Sequence, residues 1–377
     1  MGRFYTATKI LSVAFLLAFT AACTKVAFTQ ADLPSASAIT PIPTIEPTPE
    51  PTPAPATTVA KQYSQVIPQG NKQVDFLVIV DDSNSMAVDQ KKLGAKLSAF
   101  AASLDSDGLD WQMCMTVTRY VNNLWGTPIN WKNYSPSAGV PQYLLKKGTP
   151  NLDMVFVNTV NAIGSGNPNS GDERAIKAAY NSFARSSLAV AGGISCYRKD
   201  AAVSVIVISD EDERSVGGNP AMVKPQDAPG SYQPLEAQDL PANLITEAAT
   251  VFGASARFTF NSIIVVPGDK ACEAYQDEDV SPSHPGYTYQ SLSVATGGGV
   301  GSICDNDYTA NLNTFKDKVI NSLSVVNLDC IPVKGSVQVQ VDGADFANYT
   351  LSDSTVTFTK ALSEGTQLMI NYECPVQ

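Results

Sequence analysis

Histidine is almost absent from this 377-residue sequence, whose one example, His284, lies in a proline-flanked turn. The sequence has no His-Glu-x-x-His motif and no nucleophile motif near His284, so it gives no support for a zinc protease or a serine hydrolase. A Gly-Lys-Ser/Thr phosphate loop is missing as well. We therefore predict a protein that is not an enzyme and has no small-molecule substrate, and we expect His284 to be an ordinary surface residue.

Clusters of basic residues are also missing. The formal net charge is −11, and no segment concentrates lysine and arginine. Nucleic acids and anionic lipid surfaces attract proteins with basic patches, so we expect neither as a partner. A composition of 44% hydrophobic and 16% charged residues is typical of a globular protein.

The N-terminus has the pattern of a targeting segment. Arg3 and Lys9 precede a 13-residue apolar run, residues 10–22, which is too short to span a bilayer. The run ends in Thr-Ala-Ala-Cys, which is similar to a bacterial lipobox. We predict a lipoprotein signal peptide over residues 1–22, a lipid on Cys23, and anchoring in the bacterial cell envelope at the outer membrane. The alternative is an ordinary secretory signal that leaves Cys23 as a free thiol.

Residues 23–61 form a predicted linker. Short side chains there alternate with prolines, which favours an extended polyproline II spacer of about 3.1 Å per residue. The prolines are Pro41, Pro43, Pro47, Pro49, Pro51, Pro53 and Pro55.

Six cysteines remain once Cys23 is set aside as the lipid carrier. An even number in an exported protein predicts disulfides, and the absence of Cys-x-x-Cys spacing argues against a zinc site. Six cysteines allow 15 pairings. Their order along the chain favours the pairs Cys114–Cys196, Cys272–Cys304 and Cys330–Cys374.

Strand-like and helix-like segments alternate over residues 62–326, which predicts a mostly parallel sheet flanked by helices. Residues 327–377 instead alternate apolar and polar side chains, which predicts a small antiparallel β unit bracketed by Cys330 and Cys374. Two long insertions, 120–170 and 214–240, interrupt the first region. The aromatic residues of 120–145 either form a partner surface or pack within the insertion.

Oxygen-bearing side chains follow two of the predicted strands. Residues 74–80 are apolar and lead into Asp81, Ser83 and Ser85; residues 203–208 are apolar and lead into Asp210. Ligands bind at the carboxyl ends of strands in open α/β sheets. Carboxylates and hydroxyls suit Mg²⁺, or Ca²⁺ or Mn²⁺, better than zinc or copper. The alternative is that the serines cap the following helix.

The Asp-x-Ser-x-Ser turn resembles the metal-ion-dependent adhesion site of von Willebrand factor A domains. The family's third hydroxyl, usually threonine, corresponds to Ser170, which lies five residues before Ala175 and Ile176. The family's last ligand, usually in Thr-Asp-Gly, corresponds to Asp210, with Glu211 replacing the glycine. The resemblance implies a Rossmann-like α/β fold and the metal ligands Asp81, Ser83, Ser85, Ser170 and Asp210. Asp172 and Asp212 are the less certain ligands.

The order of lipobox, Pro-rich spacer, A domain and Cys-bracketed tail resembles exported bacterial lipoproteins. We expect a metal-dependent adhesion or protein-binding function, in which an Asp or Glu carboxylate of a partner protein completes the coordination of the ion. A periplasmic structural or assembly scaffold, in which the metal mainly rigidifies the domain, is the alternative. A hydrolase that uses Asp212 or Glu213 as its base is a third and less favoured possibility.

Overall fold

A computed structural model describes residues 58–67, 72–163, 172–227, 229–253, 256–278 and 282–376. The predicted signal peptide, Cys23, most of the Pro-rich linker and Ser170 lie outside these residues. The strands are β1 Thr58–Val66, β2 Gln73–Val80, β3 Asp110–Val117, β4 Leu145–Lys146, β5 Ala202–Ser209, β6 Phe258–Ile264, β7 Val300–Ser302, β8 Val325–Asn327, β9 Gln338–Val341, β10 Ala344–Asp345, β11 Tyr349–Ser352, β12 Thr355–Phe358 and β13 Gln367–Pro375. The helices are α1 Ala87–Ser106, α2 Leu152–Ile163, α3 Ala175–Ala184, α4 Pro241–Phe252, α5 Lys270–Gln276, α6 Tyr287–Ala295 and α7 Thr309–Ser322.

The main sheet has six strands in the order β4-β3-β2-β5-β6-β7. All neighbours pair in parallel except β3 and the short edge strand β4. The strand order runs outward in both directions from the boundary between β2 and β5, which makes this boundary the topological switch point of a doubly wound sheet. The predicted mostly parallel sheet is therefore confirmed.

Both faces of the central strands are covered, which explains why β2 and β5 read as continuous apolar runs. Successive side chains of a strand point to opposite faces. Val78 and Val80 accordingly belong to one core with α1, α2 and α7, whereas Leu77 and Ile79 belong to a second core with α3, α4 and α6. The apolar residues of α1 recur every three or four positions and are buried in the first of these cores: Leu93, Leu97, Phe100 and Leu104.

The C-terminal unit contains two small antiparallel sheets, β1-β13-β9-β10 and β11-β12-β8. Its own core includes Val356, Leu368 and Ile370. Sequence analysis predicted the antiparallel character but not the bounds, since β1 begins in the predicted linker and β8 lies across the 326/327 boundary. β1 pairs with β13 along nine residues, from Thr58 opposite Pro375 to Val66 opposite Gln367. The chain therefore contributes a strand to this unit before it enters the main sheet.

The six described cysteines form the three pairs that their order favoured, Cys114–Cys196, Cys272–Cys304 and Cys330–Cys374, with Cα–Cα distances of 5.6–5.9 Å. The first joins β3 to the segment before β5, and the third joins β13 to the segment after β8. Three disulfides are typical of a protein that folds outside the cytosol, in the cell envelope or beyond it.

Across the described ranges, every helix is too short or too polar to cross a membrane.

Candidate functional site

The site lies where β2 and β5 end at the topological switch point. The two strands pair in parallel with Val80 opposite Ile208, and the Asp81 amide continues the pairing by donating to the Ile208 carbonyl at 2.9 Å. The turns that contain Asp81 and Asp210 therefore leave the same edge of the sheet side by side. This edge is where ligands bind in open α/β folds.

Asp81 is fully buried, and the protein holds both of its carboxylate oxygens in place. Oδ1 accepts a 2.8 Å hydrogen bond from the Ser83 amide, and Oδ2 accepts a 2.6 Å bond from the Ser209 hydroxyl. The hydroxyl oxygens of Ser83 and Ser85 are 3.0 Å apart. Burial raises the pKa of Asp81 to about 6. The turn thus brings one carboxylate and two hydroxyls together, as the sequence predicted.

Asp210 differs from Asp81 because neither of its buried oxygens makes a hydrogen bond of ordinary geometry within the described residues, where only a weaker contact with the Ser85 hydroxyl opposes the effect of burial on its pKa. Burial and the neighbouring Asp81 raise the pKa of Asp210 well above its ordinary value. A buried, unpaired carboxylate costs several kcal/mol unless a cation or a donor compensates it. The two oxygens of Asp210, which accept no hydrogen bond of ordinary geometry within the described residues, fit a cation bound between the two turns.

Two buried glutamates, Glu173 and Glu211, lie beside these carboxylates, and sequence reasoning did not assign them a role. Burial, together with Glu211 and Asp81, raises the pKa of Glu173 well above its ordinary range. Burial raises the pKa of Glu211 to about 8. Ser215 donates a 2.7 Å hydrogen bond to Oε2 of Glu173, and the carboxyl groups of Glu173 and Glu211 interact with each other. A loop sequence of acidic residues gives no signal that these side chains are buried.

Among the described residues, no group of three or more His, Cys, Asp or Glu side chains has the arrangement of a metal site. The candidate set instead combines two carboxylates, Asp81 and Asp210, with the hydroxyls of Ser83 and Ser85. Hard cations such as Mg²⁺ accept such oxygen ligands and retain several waters. The donors present therefore suit a hard cation and not zinc.

The two less certain ligands have other partners. Both oxygens of Asp172 accept hydrogen bonds from Arg214, at 3.0 and 3.2 Å. The oxygens of Asp212 accept bonds from the Thr288 amide and hydroxyl at 2.9–3.1 Å, at the first turn of α6. Glu213 plays the same part for α3, where it accepts from the Ile176 and Lys177 amides at 2.8 and 3.1 Å. Ser170 lies outside the described residues.

The expectation for His284 was wrong, because its side chain is only 2% exposed. Its backbone amide donates a 2.8 Å hydrogen bond to the Asp210 carbonyl, and its Nε2 lies 3.2 Å from Oδ1 of Asp227. Burial lowers the pKa of His284. The turn that contains this histidine packs onto the Asp210 turn and fixes its backbone, a tertiary contact that the local Pro-rich pattern does not reveal.

The aromatic residues of the first insertion divide between packing and exposure. Trp131 is 1% exposed and packs edge-on against Phe156 of α2, so it belongs to the core. Trp125 lies under the side chains of Arg174 and Lys177. Tyr120 is 55% exposed beside the site. The insertion therefore has its own packed anchor and also presents an aromatic side chain to solvent.

No protein-family model and no curated protein sequence matches the chain. Solved structures do match at low similarity. The pilus adhesin SpaC from Lactobacillus rhamnosus GG is 12% identical with a TM-score of 0.31, over 85% of this chain and 41% of SpaC. The manganese-loaded TRAP protein of Plasmodium vivax is 11% identical with a TM-score of 0.34, over 84% of this chain and 98% of TRAP. The human COPII-coat protein Sec24c is 11% identical with a TM-score of 0.36, over 84% of this chain and 42% of Sec24c.

This chain therefore spans less than half the length of SpaC and of Sec24c. Similarities this low assign no function. The fold class rests on the sheet itself: it is α/β, with a doubly wound, mostly parallel sheet and additional antiparallel sheets. That architecture is consistent with a von Willebrand factor A-like fold.

Proposed function

We propose that this chain is a non-enzymatic, divalent-metal-dependent protein-binding or adhesion protein of the bacterial cell envelope. The observation that supports the proposal most directly is Asp210, whose two buried oxygens make no hydrogen bond of ordinary geometry within the described residues and lie at the switch point beside Asp81 and the Ser85 hydroxyl. Asp81, Ser83, Ser85 and Asp210 would hold Mg²⁺, or Ca²⁺ or Mn²⁺. Ser170 would add a third hydroxyl from the segment before α3.

The ion would supply open coordination positions to an Asp or Glu carboxylate of a partner protein. The chain's own residues do the remaining work. Ser209 orients Asp81, and the His284 amide holds the backbone of Asp210. Burial favours the neutral forms of Glu173 and Glu211 where no cation is bound, and a bound cation would favour their ionised forms. Binding of an acidic partner would depend on the ion, because the ion supplies the positive charge and the open coordination positions.

The positions of the acidic side chains disfavour the hydrolase alternative. A general base must reach a proton of the substrate or of a water. Asp212 and Glu213 instead accept several hydrogen bonds from the first turns of α6 and α3. Every carboxylate oxygen of these two residues already accepts a hydrogen bond, so both side chains stabilise helix termini.

Anchoring is the second part of the proposal. Cys23 would carry the lipid and the Pro-rich linker would separate the folded part from the membrane. Intact mass of membrane-extracted protein tests this: a diacylglyceryl-modified N-terminal cysteine is expected, and Cys23→Ser should yield unanchored protein. An unmodified Cys23 in the membrane fraction would overturn the anchor.

A pull-down from envelope extract tests the binding function, with the full chain as bait in Mg²⁺ and in EDTA. We expect a protein partner that is retained in Mg²⁺, released by EDTA, and lost with Asp210→Asn. A chain that binds the ion but retains the same partners in EDTA would instead support the scaffold alternative. Protease treatment of intact cells separates the two locations, because it releases a surface adhesin and leaves a periplasmic scaffold intact.

A further inference from the structure

A cleft of about 570 Å³ opens beside the Asp81 turn, between the insertion that follows β3 and the last turns of α2. Asp82, the neighbour of Asp81 in the chain, forms part of its wall. We propose that this cleft binds a second acidic side chain and an adjacent apolar side chain of the partner segment whose first carboxylate would bind the ion. This inference rests on the proposed function and specifies the chemistry of the partner.

Two cations distinguish the cleft from the acidic surface around it. The Nε of Arg119 donates to Oδ2 of Asp82, and the described residues contain no further partner for its guanidinium. Lys132 is exposed, and no carboxylate of the described chain pairs with its ammonium. Both side chains line the cleft. An acidic group can therefore gain a charge-assisted contact here, close to a site where carboxylates otherwise repel it.

Part of the cleft's floor is apolar. Val117 and Ile163 are buried beneath it, and the apolar surface that a partner can reach comes from the half-buried Val121, Pro128 and Ile129. Burial of an apolar side chain on this floor removes hydrocarbon from water on both partners. The chains of uronic-acid polysaccharides carry hydroxyls on most carbons, which an apolar floor leaves without partners. The floor therefore favours a protein segment over an anionic polysaccharide.

The rim of the cleft suits a peptide backbone. Asn122 and Asn130 line it, and each amide side chain offers both donors and an acceptor. Tyr120 adds an exposed aromatic ring with a hydroxyl. Side chains of this kind pair with the N–H and C=O groups of an extended segment. The combined chemistry indicates an acidic segment that contains at least one apolar residue within a few positions of its acids.

The test is a selection from a displayed peptide library that has one fixed glutamate and six random flanking positions, with the full chain as target in Mg²⁺. We expect enrichment of a second Asp or Glu together with Leu, Ile, Val or an aromatic residue. Lys132→Gln should lose the enrichment of the second acid. Lys318→Gln, which removes the same charge from α7 outside the cleft, should keep it.

One selected peptide and its derivative with the second acid replaced by its amide then complete a double-mutant cycle. We expect the amide to weaken binding about two- to fivefold in the unmutated chain and hardly at all in Lys132→Gln, as for a solvent-accessible ion pair. Three outcomes would overturn the cleft assignment. They are an equal loss of affinity in both proteins, a selection without enrichment of a second acid, and Lys132-dependent binding of polygalacturonate in place of peptides. Enrichment that persists unchanged in EDTA would overturn the metal-dependent function instead.

Discussion

The Ser209 hydroxyl donates a 2.6 Å hydrogen bond to Oδ2 of Asp81 and so ties the end of β5 to the turn after β2. Both oxygens of Asp81 accept hydrogen bonds, whereas the oxygens of Asp210 accept none of ordinary geometry within the described residues and have only a weaker contact with the Ser85 hydroxyl. Asp81 and Asp210 thus lie at the same edge of the main sheet but differ in how the protein stabilises their carboxylates. Asp81 is fixed by the protein, and Asp210 is the side chain that a bound cation would stabilise most.

Asp212→Ala should lower the free energy of unfolding by about 1–2 kcal/mol, the usual cost of losing a helix cap, and should leave divalent-ion affinity unchanged. The reason is that Asp212 accepts its hydrogen bonds from Thr288 and Tyr289 at the start of α6. Urea unfolding and calorimetric titration measure the two quantities. Loss of ion binding in this variant would show that Asp212 is a ligand after all.

The metal-free protein should lose stability as pH rises from about 6 to 8. Burial raises the pKa of Asp81 to about 6 and that of Glu211 to about 8, and it raises the pKa values of Asp210 and Glu173 well above normal. The unfolded chain releases these protons near pH 4. Between that pH and the folded-state pKa values the folded state binds more protons, so the free energy of unfolding falls with pH. His284 has the opposite effect on the free energy of unfolding below its ordinary pKa of 6.5. Burial lowers its pKa, so the unfolded chain binds more protons at this residue and stability rises with pH there.

Urea unfolding in EDTA at several pH values from 6 to 8.5 measures this slope. Asp210→Asn should flatten it and should raise the stability of the metal-free protein at pH 8, because the substitution removes one buried negative charge. Excess Mg²⁺ should stabilise the unmutated chain more at pH 8 than at pH 6. A stability that rises across this interval in EDTA would contradict the described charge cluster.

Much of the fold could be predicted because its signals are local. The apolar runs of β2 and β5 end directly at Asp81 and before Asp210, and the parallel sheet follows from both faces being covered. β1 could not be predicted, because eight of its nine residues are exposed and it shows no apolar alternation. Its pairing depends on β13, about three hundred residues later in the chain.

In the polar part of the site, too, local features could be predicted and long-range contacts could not. Asp81, Ser83 and Ser85 lie within five consecutive residues, so the sequence shows that they share one turn. The burial of Glu173 and His284 depends instead on distant segments that fold over loops of ordinary polar composition. The sequence could not distinguish the roles of Asp210 and Asp212 either. Asp212 accepts hydrogen bonds from the first turn of α6 only because the fold brings these distant segments together.

Cys374→Ser should make the C-terminal β unit sensitive to protease while the main sheet stays folded. Closing the loop between Cys330 and Cys374 stabilises the unit by about 4 kcal/mol in the chain-entropy account. β13 carries Cys374 and pairs with both β1 and β9. Cleavage should therefore appear in residues 58–67 as well as in 328–376.

Limited proteolysis with peptide mapping follows both regions. Cys330→Ser is the matched control and should give the same fragments, because either substitution opens the same loop. A unit that stays resistant in both variants would show that its core, and not the disulfide, holds it together. Cleavage confined to 328–376 would contradict the dependence of β1 on β13.

Calorimetric titration of Mg²⁺ and Mn²⁺ into the full chain tests the metal site most directly. We expect one ion per chain, and a loss of at least about 100-fold in affinity for Asp81→Asn and for Asp210→Asn, the order reported when groups that support a metal site are removed. Asp172→Asn should bind as the unmutated chain does, because both of its oxygens are engaged by Arg214. Unchanged affinity in Asp210→Asn, or no binding of either ion by the unmutated chain, would contradict the site.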